Sequence, residues 1–429
     1  MLRPIYYGFS ILVGLLGWPI FYWRLKSRGR GESFGPRLGL RLPPLPLPTN
    51  GPRLWLHGVS VGEISAAEPL VHELQEKFPD AELCLSTGTE TGQAVARKLY
   101  QPPLTVFYYP LDLPWAVQRY LKHIRPDLFI VLETEIWPNF LHDAHRAGVR
   151  LALANARLSD HSFRRYLKIK SFIADIINYF ELIAASSAED ARRFLELGAE
   201  PKKIVVTGST KWDRLVAPQD SIKLSELRQR LGFQDNLIFL AASTHPGEEK
   251  IIIQAFQSLR GPYPALLLIL TPRHPERAPA VGQLLAQAGL PYHFWSKIKQ
   301  GVEGRRHPVI VVDTIGELFP LYGLADLVFV GGSLVPHGGQ NILEAAAWGK
   351  FPLYGPHMEN FRLGRALLEE AGAGQTVYGL DDLIKAGQYF LAHPNERQIR
   401  GQQGQTALQT HQGAARRQAQ LFKKLLLSP

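Results

Sequence analysis

The sequence predicts an α/β protein with two doubly wound, parallel-sheet domains of similar size behind an N-terminal apolar segment. Three observations predict it. Short apolar runs alternate with amphipathic helical stretches along most of the chain, the βαβ signature of parallel sheets. A polar, charged segment near 218–234 interrupts that alternation. At 429 residues the chain also exceeds what one core usually encloses. A content of 45% hydrophobic and 20% charged residues is that of a folded chain and argues against disorder.

The first element is Tyr6 to Trp23, apolar or aromatic apart from Ser10 and three glycines. It is slightly shorter than the roughly 20 residues that span a bilayer as a helix. Tyr6, Tyr7, Trp18, Tyr22 and Trp23 crowd its ends, and Arg24, Lys26, Arg28 and Arg30 follow. Residues 1–30 are therefore expected to be a membrane-anchor helix with a basic flank on the cytoplasmic side. A cleaved leader is disfavoured, because the run ends in basic residues rather than a small-residue cleavage site. A helix lying in the interface and a buried core helix are the other readings; Pro19 and the marginal length allow the first. Residues 31–52, with Pro43, Pro44, Pro46, Pro48 and Pro52, are expected to be an extended linker.

Strands are expected at Leu54–Val61, Glu82–Ser86, Val106–Tyr109, Leu128–Glu133, Leu151–Ala154, Leu182–Ala185 and Ile204–Thr207, making a first domain over 53–217. After the interdomain segment 218–234, strands are expected at Leu237–Ala241, Ala265–Leu270, Val309–Val312, Leu327–Val330 and Phe351–Leu353, making a second domain over 235–395. Residues 396–429 are expected to be a helical tail. Two such domains facing each other would place strand ends, and hence ligands, in a cleft.

The formal charge of +10 favours an anionic partner. The charge is spread along the chain, and no RNA-type aromatic motif or basic zipper appears, so nucleic acid is not the expected partner. The lone cysteine, Cys84, allows no intrachain disulfide and no cysteine-based zinc site.

Five polar clusters sit where strands are expected to end. In His57-Gly58-Val59-Ser60-Val61-Gly62-Glu63 a glycine turn delivers a carboxylate at a helix start. Glu63 could be a general base, or it could only complement the helix dipole. Glu133-Thr134-Glu135-Ile136-Trp137-Pro138-Asn139 puts two carboxylates on one face of an extended stretch, or simply opens a helix before Pro138. Gly208-Ser209-Thr210-Lys211-Trp212-Asp213 sets a lysine past a strand end, for a phosphate or for solvent. Arg273, in Thr271-Pro272-Arg273-His274-Pro275-Glu276-Arg277, could grip a phosphate in a bidentate manner. Gly331-Gly332-Ser333, then Gly338-Gly339-Gln340-Asn341-Ile342-Leu343-Glu344, could offer backbone N–H groups to a phosphate and Glu344 to a ribose, or could be tight turns. The stretch Arg157 to Lys170 interleaves basic and apolar residues and could face anionic lipid or be a solvated helix face. No GxGxxG, Walker A, HExxH, GxSxG or DxD pattern is present. A metal-free displacement with a nucleotide leaving group is then the simplest chemistry, with cations and a helix N-terminus stabilising the leaving phosphate.

The segments HGVSVGE (57–63), ETEIWPN (133–139), ANARLSD (154–160), TGSTKWD (207–213), STHPGEE (243–249), PRHPER (272–277), GGS (331–333) and GGQNILEAAAWG (338–349) resemble, in this order, the 3-deoxy-D-manno-octulosonic acid (Kdo) transferases. The resemblance covers nearly the whole chain. It implies a GT-B glycosyltransferase with two Rossmann-like domains around a cleft. It also implies inverting, metal-independent transfer of Kdo from CMP-Kdo to a lipid A precursor at the cytoplasmic face of the inner membrane. By resemblance Glu63 is the base, and Glu133 and Lys211 stabilise the transition state. CMP is held by Pro272 and Arg273, by Ile315, Gly316 and Glu317, and by Asn341, Ile342, Leu343 and Glu344; no cofactor is implied. Two positions depart from the family pattern: Gln340 stands where His is common and Gly58 where Ser or Ala is frequent. Another GT-B enzyme with a UDP- or GDP-sugar donor and a non-catalytic nucleotide-sugar binding protein are the competing readings.

Overall fold

The structure, a computed structural model, describes residues 2–27, 33–45, 50–100, 104–215, 221–232, 236–302 and 304–427. The expected boundaries at 30/31, 217/218 and 234/235 fall on or beside residues outside that set, as do Arg28, Arg30, Pro46 and Pro48. The chain forms two compact units, one of residues 1–214 with 411–429 and one of residues 215–410.

The first unit holds a seven-stranded sheet in the order β3-β2-β1-β4-β5-β6-β7. The strands are β1 (Arg53–Gly58), β2 (Glu82–Thr87), β3 (Thr105–Tyr108), β4 (Leu128–Leu132), β5 (Arg150–Ala156), β6 (Leu182–Ala185) and β7 (Ile204–Val206). All pairings are parallel. Strands buried on both faces need continuous apolar runs rather than alternation, and β1, β2 and β4 are such runs. Trp55 of β1 is fully buried, with Phe129 edge-on at 5.0 Å and Phe140 at 5.1 Å. Such aromatic pairs add to area burial.

The second unit repeats the design in the order β10-β11-β9-β8-β12-β13-β14. Its strands are β8 (Ile238–Thr244), β9 (Leu267–Pro272), β10 (Tyr292–Phe294), β11 (Val309–Val311), β12 (Leu327–Val330), β13 (Pro352–Tyr354) and β14 (Gln375–Thr376). These too are all parallel. The edge strands β10 and β14 were not expected from the sequence; at three and two residues they are too short to carry a period.

The expected tail divides. The helix Pro394–Thr410 belongs to the second unit, whereas 411–429 return to the first. There the helix Ala414–Leu427 buries Ala415, Ala419 and Phe422 in one core with Leu54, Leu56 and Ile130. Its first N–H groups have a remote cap: Asp213 accepts from Gly413, Ala414 and Ala415 at 2.7, 3.3 and 2.6 Å. Local periodicity cannot reveal a partner two hundred residues away.

The N-terminal segment is a helix, Leu2–Ser27, and it docks on the first unit. The Tyr6 hydroxyl donates to Asp112 at 2.9 Å and Asn139 Nδ2 donates to Ser10 Oγ at 2.9 Å. Gly14 admits Leu113 and Trp115, whose side chains lie 2.7 Å from where a Cβ would stand. Among the described residues no helix is long and apolar enough to cross a membrane. The expected linker is also bound where it is described. Arg37 donates to the Gly88 carbonyl at 2.7 Å, His123 meets the Pro43 carbonyl at 2.7 Å, and Leu42 and Leu45 pack on the core. Prolines lack an N–H, yet their carbonyls still accept, which is how this stretch is fixed.

Asp213→Ala should lower stability by about 1–2 kcal/mol, the cost of losing an N-cap. Calorimetry would read this as a lower Tm for the transition of the first unit, and an unchanged Tm would show that the remote cap is idle.

Candidate active site

Each sheet reverses its strand order once, between β1 and β4 in the first and between β8 and β12 in the second. Crevices outside the carboxyl ends of strands at such reversals are where open α/β sheets bind ligands. The clusters of Glu63, Glu133 and residues 331–344 leave the sheets at these points, whereas that of Lys211 follows the edge strand β7 and that of Arg273 follows β9.

In the first unit β1 runs into Ser60, the N-cap of the short helix Val61–Ala66. Ser60 Oγ accepts from the Glu63 N–H at 3.2 Å, while its hydroxyl donates to Glu63 Oε1 at 2.7 Å. The Val59 N–H donates to Glu63 Oε2 at 2.7 Å. This is reciprocal capping, so the helix-end role weighed for Glu63 is real. It does not exhaust the side chain. Burial raises the Glu63 carboxyl above its usual range and the Glu133 charge raises it further, against the lowering by Ser60 and Val59. A half-buried carboxylate of raised basicity suits a general base. Gly58 fits this place closely: a Cβ would lie 2.9 Å from Leu132 Cδ1 and 3.2 Å from Ile64 Cδ1. Ser or Ala there would require Leu132 and Ile64 to shift.

Glu133 follows β4 with φ +59°, a left-handed conformation in a residue other than glycine. Such a residue costs on the order of 1–3 kcal/mol and persists where its surroundings fix it. Its N–H donates to Ala154 at 2.9 Å and its Oε1 receives Lys211 Nζ at 2.5 Å. With the lysine 41% and the glutamate 25% exposed, the pair contributes about 0–1 kcal/mol. Its consequence is therefore position rather than stability. Glu135 completes the group. Its carboxyl is pushed up to about 7, first by burial and then by the charges of Glu63 and Glu133.

Lys211 is seated by residues that had no assigned role. Asn155, at φ +51° on β5, accepts from the Thr210 N–H at 3.0 Å and donates to Thr210 Oγ1 at 2.7 Å. The Thr210 hydroxyl donates to the Ala66 carbonyl at 2.6 Å, joining the lysine turn to the helix of Glu63. Gln418, from the last helix, donates to Asn155 Oδ1 at 3.2 Å. Asn155 lay in the segment ANARLSD, a signal without an assignment; Gln418 carried none.

The second unit gathers the other expected residues at the carboxyl ends of neighbouring strands. Pro272 and Arg273 end β9, and Arg273 is exposed with no side-chain partner among the described residues. Ile315 to Glu317 follow β11; Ile315 is 88% exposed, Gly316 has φ +91°, and Glu317 receives Lys299 at 2.6 Å. Asn341 Oδ1 accepts from the Leu343 N–H at 3.2 Å and its Nδ2 donates to Glu344 at 3.2 Å. Ile342 and Leu343 are buried, so only their backbones could meet a ligand.

One expectation is corrected. The N–H groups of Gly332, Ser333 and Leu334 are not open to a phosphate, because all three donate to the buried carboxylate of Glu248 at 2.7, 3.0 and 2.9 Å. The His245 N–H donates to it as well, at 2.9 Å. Glu248 looks in the sequence like an ordinary first-turn acid, and nothing local marks its distant partners. Among the described residues no group of three or more His, Cys, Asp or Glu could hold a metal ion.

Known proteins fit this arrangement. The family described as 3-deoxy-D-manno-octulosonic-acid transferase (kdotransferase) matches residues 32–214. The 3-deoxy-D-manno-octulosonic acid transferase of Haemophilus influenzae is 37% identical over 374 residues, 87% of each chain. That of Chlamydophila psittaci is 31% identical over 429 residues, 98% of this chain and 96% of the relative. In fold, the chain is similar to a UDP-GlcNAc 2-epimerase from Neisseria meningitidis bound to UDP-GlcNAc, with a TM-score of 0.58, 15% identity, and coverage of 87% of this chain and 100% of that one. The architecture is GT-B, and an epimerase shares it, so fold alone does not choose the reaction. At 37% identity over most of both chains, the protein belongs to the 3-deoxy-D-manno-octulosonic acid (Kdo) transferase family.

Proposed function

We propose that this protein transfers Kdo from CMP-Kdo to a hydroxyl of a lipid A precursor, lipid IV-A, in the inner core of lipopolysaccharide. The observation that carries the reading is the grouping of Glu63 and Glu133, beyond the strands β1 and β4 at the reversal of the first sheet, with Lys211, which reaches Glu133 from the turn after β7, in a chain of this family.

Glu63 takes the proton of the acceptor hydroxyl. The oxygen then bonds to the anomeric carbon of Kdo from the face opposite the leaving group. The bond from that carbon to the phosphate oxygen breaks, its electron pair leaves with CMP, and the configuration inverts. Lys211, fixed by Glu133, offsets negative charge near the reacting groups, and Arg273 offsets that of the departing phosphate. Pro272, the turn Ile315 to Glu317 and the Asn341–Glu344 helix start hold the rest of CMP. No step needs a metal or a cofactor.

The acceptor is a lipid, and the first unit offers a surface suited to its membrane. The N-terminal helix turns Tyr6, Ser10 and Gly14 to the protein and leaves Ile5, Phe9, Leu12 and Leu16 exposed. The Tyr6 ring meets Phe172 at 6.1 Å, tilted by 42°, one helix beyond a pocket lined by His161, Arg164, Arg165, Lys168 and Asp160. An apolar ridge beside a basic patch is the pattern of a helix lying in an anionic interface, here the cytoplasmic face of the inner membrane.

Glu63→Gln should lower the rate by at least ~100-fold, the low end for losing a general base; a near-normal rate would remove Glu63 from that role. CMP and CTP should compete with the donor and UDP should not; the reverse would point to a different donor.

The pH profile tests the carboxylate group. Glu63 acts only when ionised, so activity falls as pH drops through its raised pKa. The Glu133 charge is among the causes that raise Glu63. Glu133→Gln removes that charge and should move the acid limb of kcat/KM to lower pH, beside any loss of rate. A limb that stays in place or moves up would contradict the coupling.

A further inference from the structure

The loops leaving the second sheet at its strand-order reversal carry three histidines that the reaction scheme above does not use. The His245 and His337 rings stack with centroids 4.4 Å apart at 26°, and His274 stands edge-on to His245 at 6.1 Å. Gln340 Nε2 lies 3.2 Å from His245 Nε2. Gly332 makes the approach possible: at φ +66° its missing Cβ would lie 3.2 Å from His245 Cδ2 and 3.3 Å from Gln340 Cγ. His245 is 8% exposed, whereas His274 and His337 are open to solvent.

The open donors around this cluster outnumber the acceptors within their reach. From its own loop His245 faces Glu248 and Glu249, both buried, and Glu249 keeps only its Oε2 without a partner among the described residues. Glu248 accepts four backbone N–H groups; Glu249 accepts from Arg277 at 2.7 Å and Thr244 at 3.3 Å. The loop after β9 contributes Arg273, His274 and Arg277, and the loop after β12 contributes His337 and Gln340. The remaining acid, Glu276, is an exposed partner of His274 at 3.6 Å. Burial, followed by His337, His274, Arg277 and Arg273, depresses the His245 imidazole to about 4. An anion would complete such a set.

The donor class proposed above supplies two anions. An octulosonic acid joined to a nucleoside monophosphate bears its carboxylate and its phosphate on the same carbon, and Arg273 answers only one of them. Resting on that donor reading, we infer that His245, His274 and His337, with Gln340, receive the carboxylate of the donor sugar while Arg273 takes the phosphate. In the free protein His245 is neutral, and its Nε2 accepts from the Gln340 amide. The entering carboxylate favours the protonated ring, so His245 takes up one proton from solvent. Gln340 then turns its amide over and accepts from Nε2. An amide serves both states without changing its own charge, which gives the departure from the family's usual His a physical sense.

The sign follows from linkage. A group whose pKa is higher in the complex than in the free protein takes up a proton on binding. Donor affinity therefore falls as pH rises from the free-ring value, about 4, towards the value in the complex.

The test uses the full chain, CMP-Kdo generated in situ, and CMP as inhibitor, at several pH values. His337→Gln and His245→Gln should raise the KM for CMP-Kdo by about tenfold, as loss of a charge-assisted hydrogen bond does. Inhibition by CMP, which lacks the carboxylate, should stay within about threefold of wild type. In wild type the KM for CMP-Kdo should rise with pH more steeply than the inhibition constant of CMP, and His245→Gln should flatten that difference. Equal weakening of CMP and CMP-Kdo would place the phosphate on the histidines and overturn the assignment. An unchanged KM in His337→Gln, whose exposed side chain leaves the fold untouched, would overturn it too. Failure of the underlying donor reading looks different: wild type would then turn over another nucleotide sugar and not CMP-Kdo.

Discussion

Three carboxylates, Glu63, Glu133 and Glu135, share one end of the first sheet, and Lys211 is hydrogen-bonded to Glu133 among them. Their mutual repulsion and partial burial set what each can do. Glu133, paired with the lysine, fixes the position of that side chain. Glu63, held by Ser60 and Val59 yet raised by burial, is more basic than an exposed glutamate. Glu135, the most perturbed, titrates near neutrality. Groups of one kind acquire different tasks because their surroundings differ. Much of the first unit is arranged around this spot: the turn after β1, the left-handed residue after β4, Asn155 on β5, the lysine turn after β7, and Gln418 from the far end of the chain.

The second unit solves a related problem in the opposite way. Glu248 is fully buried, and four backbone N–H groups consume its charge. Breaking such a site leaves an uncompensated buried charge, a far larger loss than that of a surface pair. The arrangement ties the loop after β8 to the loop after β12 and holds His245 and Gln340 against each other. With Glu248 engaged by backbone and Arg277 paired with Glu249, Arg273 is the cation of these loops that keeps no side-chain partner among the described residues. One unit thus leaves carboxylates half-buried at the end of its sheet, and the other buries a carboxylate completely and engages it with backbone N–H groups.

The fold class was legible because buried parallel strands must be apolar throughout: Leu128–Leu132, Leu182–Ala185 and Leu327–Val330 stand within a residue of where their runs place them. The clustered carboxylates were legible as candidates because each follows an apolar run, Glu63 after the glycine turn of β1 and Glu133 directly after Leu132 of β4. Distant partnerships left no such trace. The Asp213 cap on the last helix, the Asn155–Thr210–Ala66 chain and the Glu248 clamp each join residues whose neighbours in sequence do not reveal the partner. The N-terminal helix was legible as apolar, but not as docked: Tyr6, Ser10 and Gly14 fall on one face only once Asp112, Asn139 and Leu113 are in place.

We propose that these groups move an octulosonate from a cytidylate donor to a lipid hydroxyl. Mass spectrometry of the product formed from lipid IV-A and CMP-Kdo generated in situ decides it. The expected product is lipid IV-A bearing one or more Kdo residues, with CMP released in equal number. Unmodified lipid IV-A, or release of free Kdo without transfer, would contradict it.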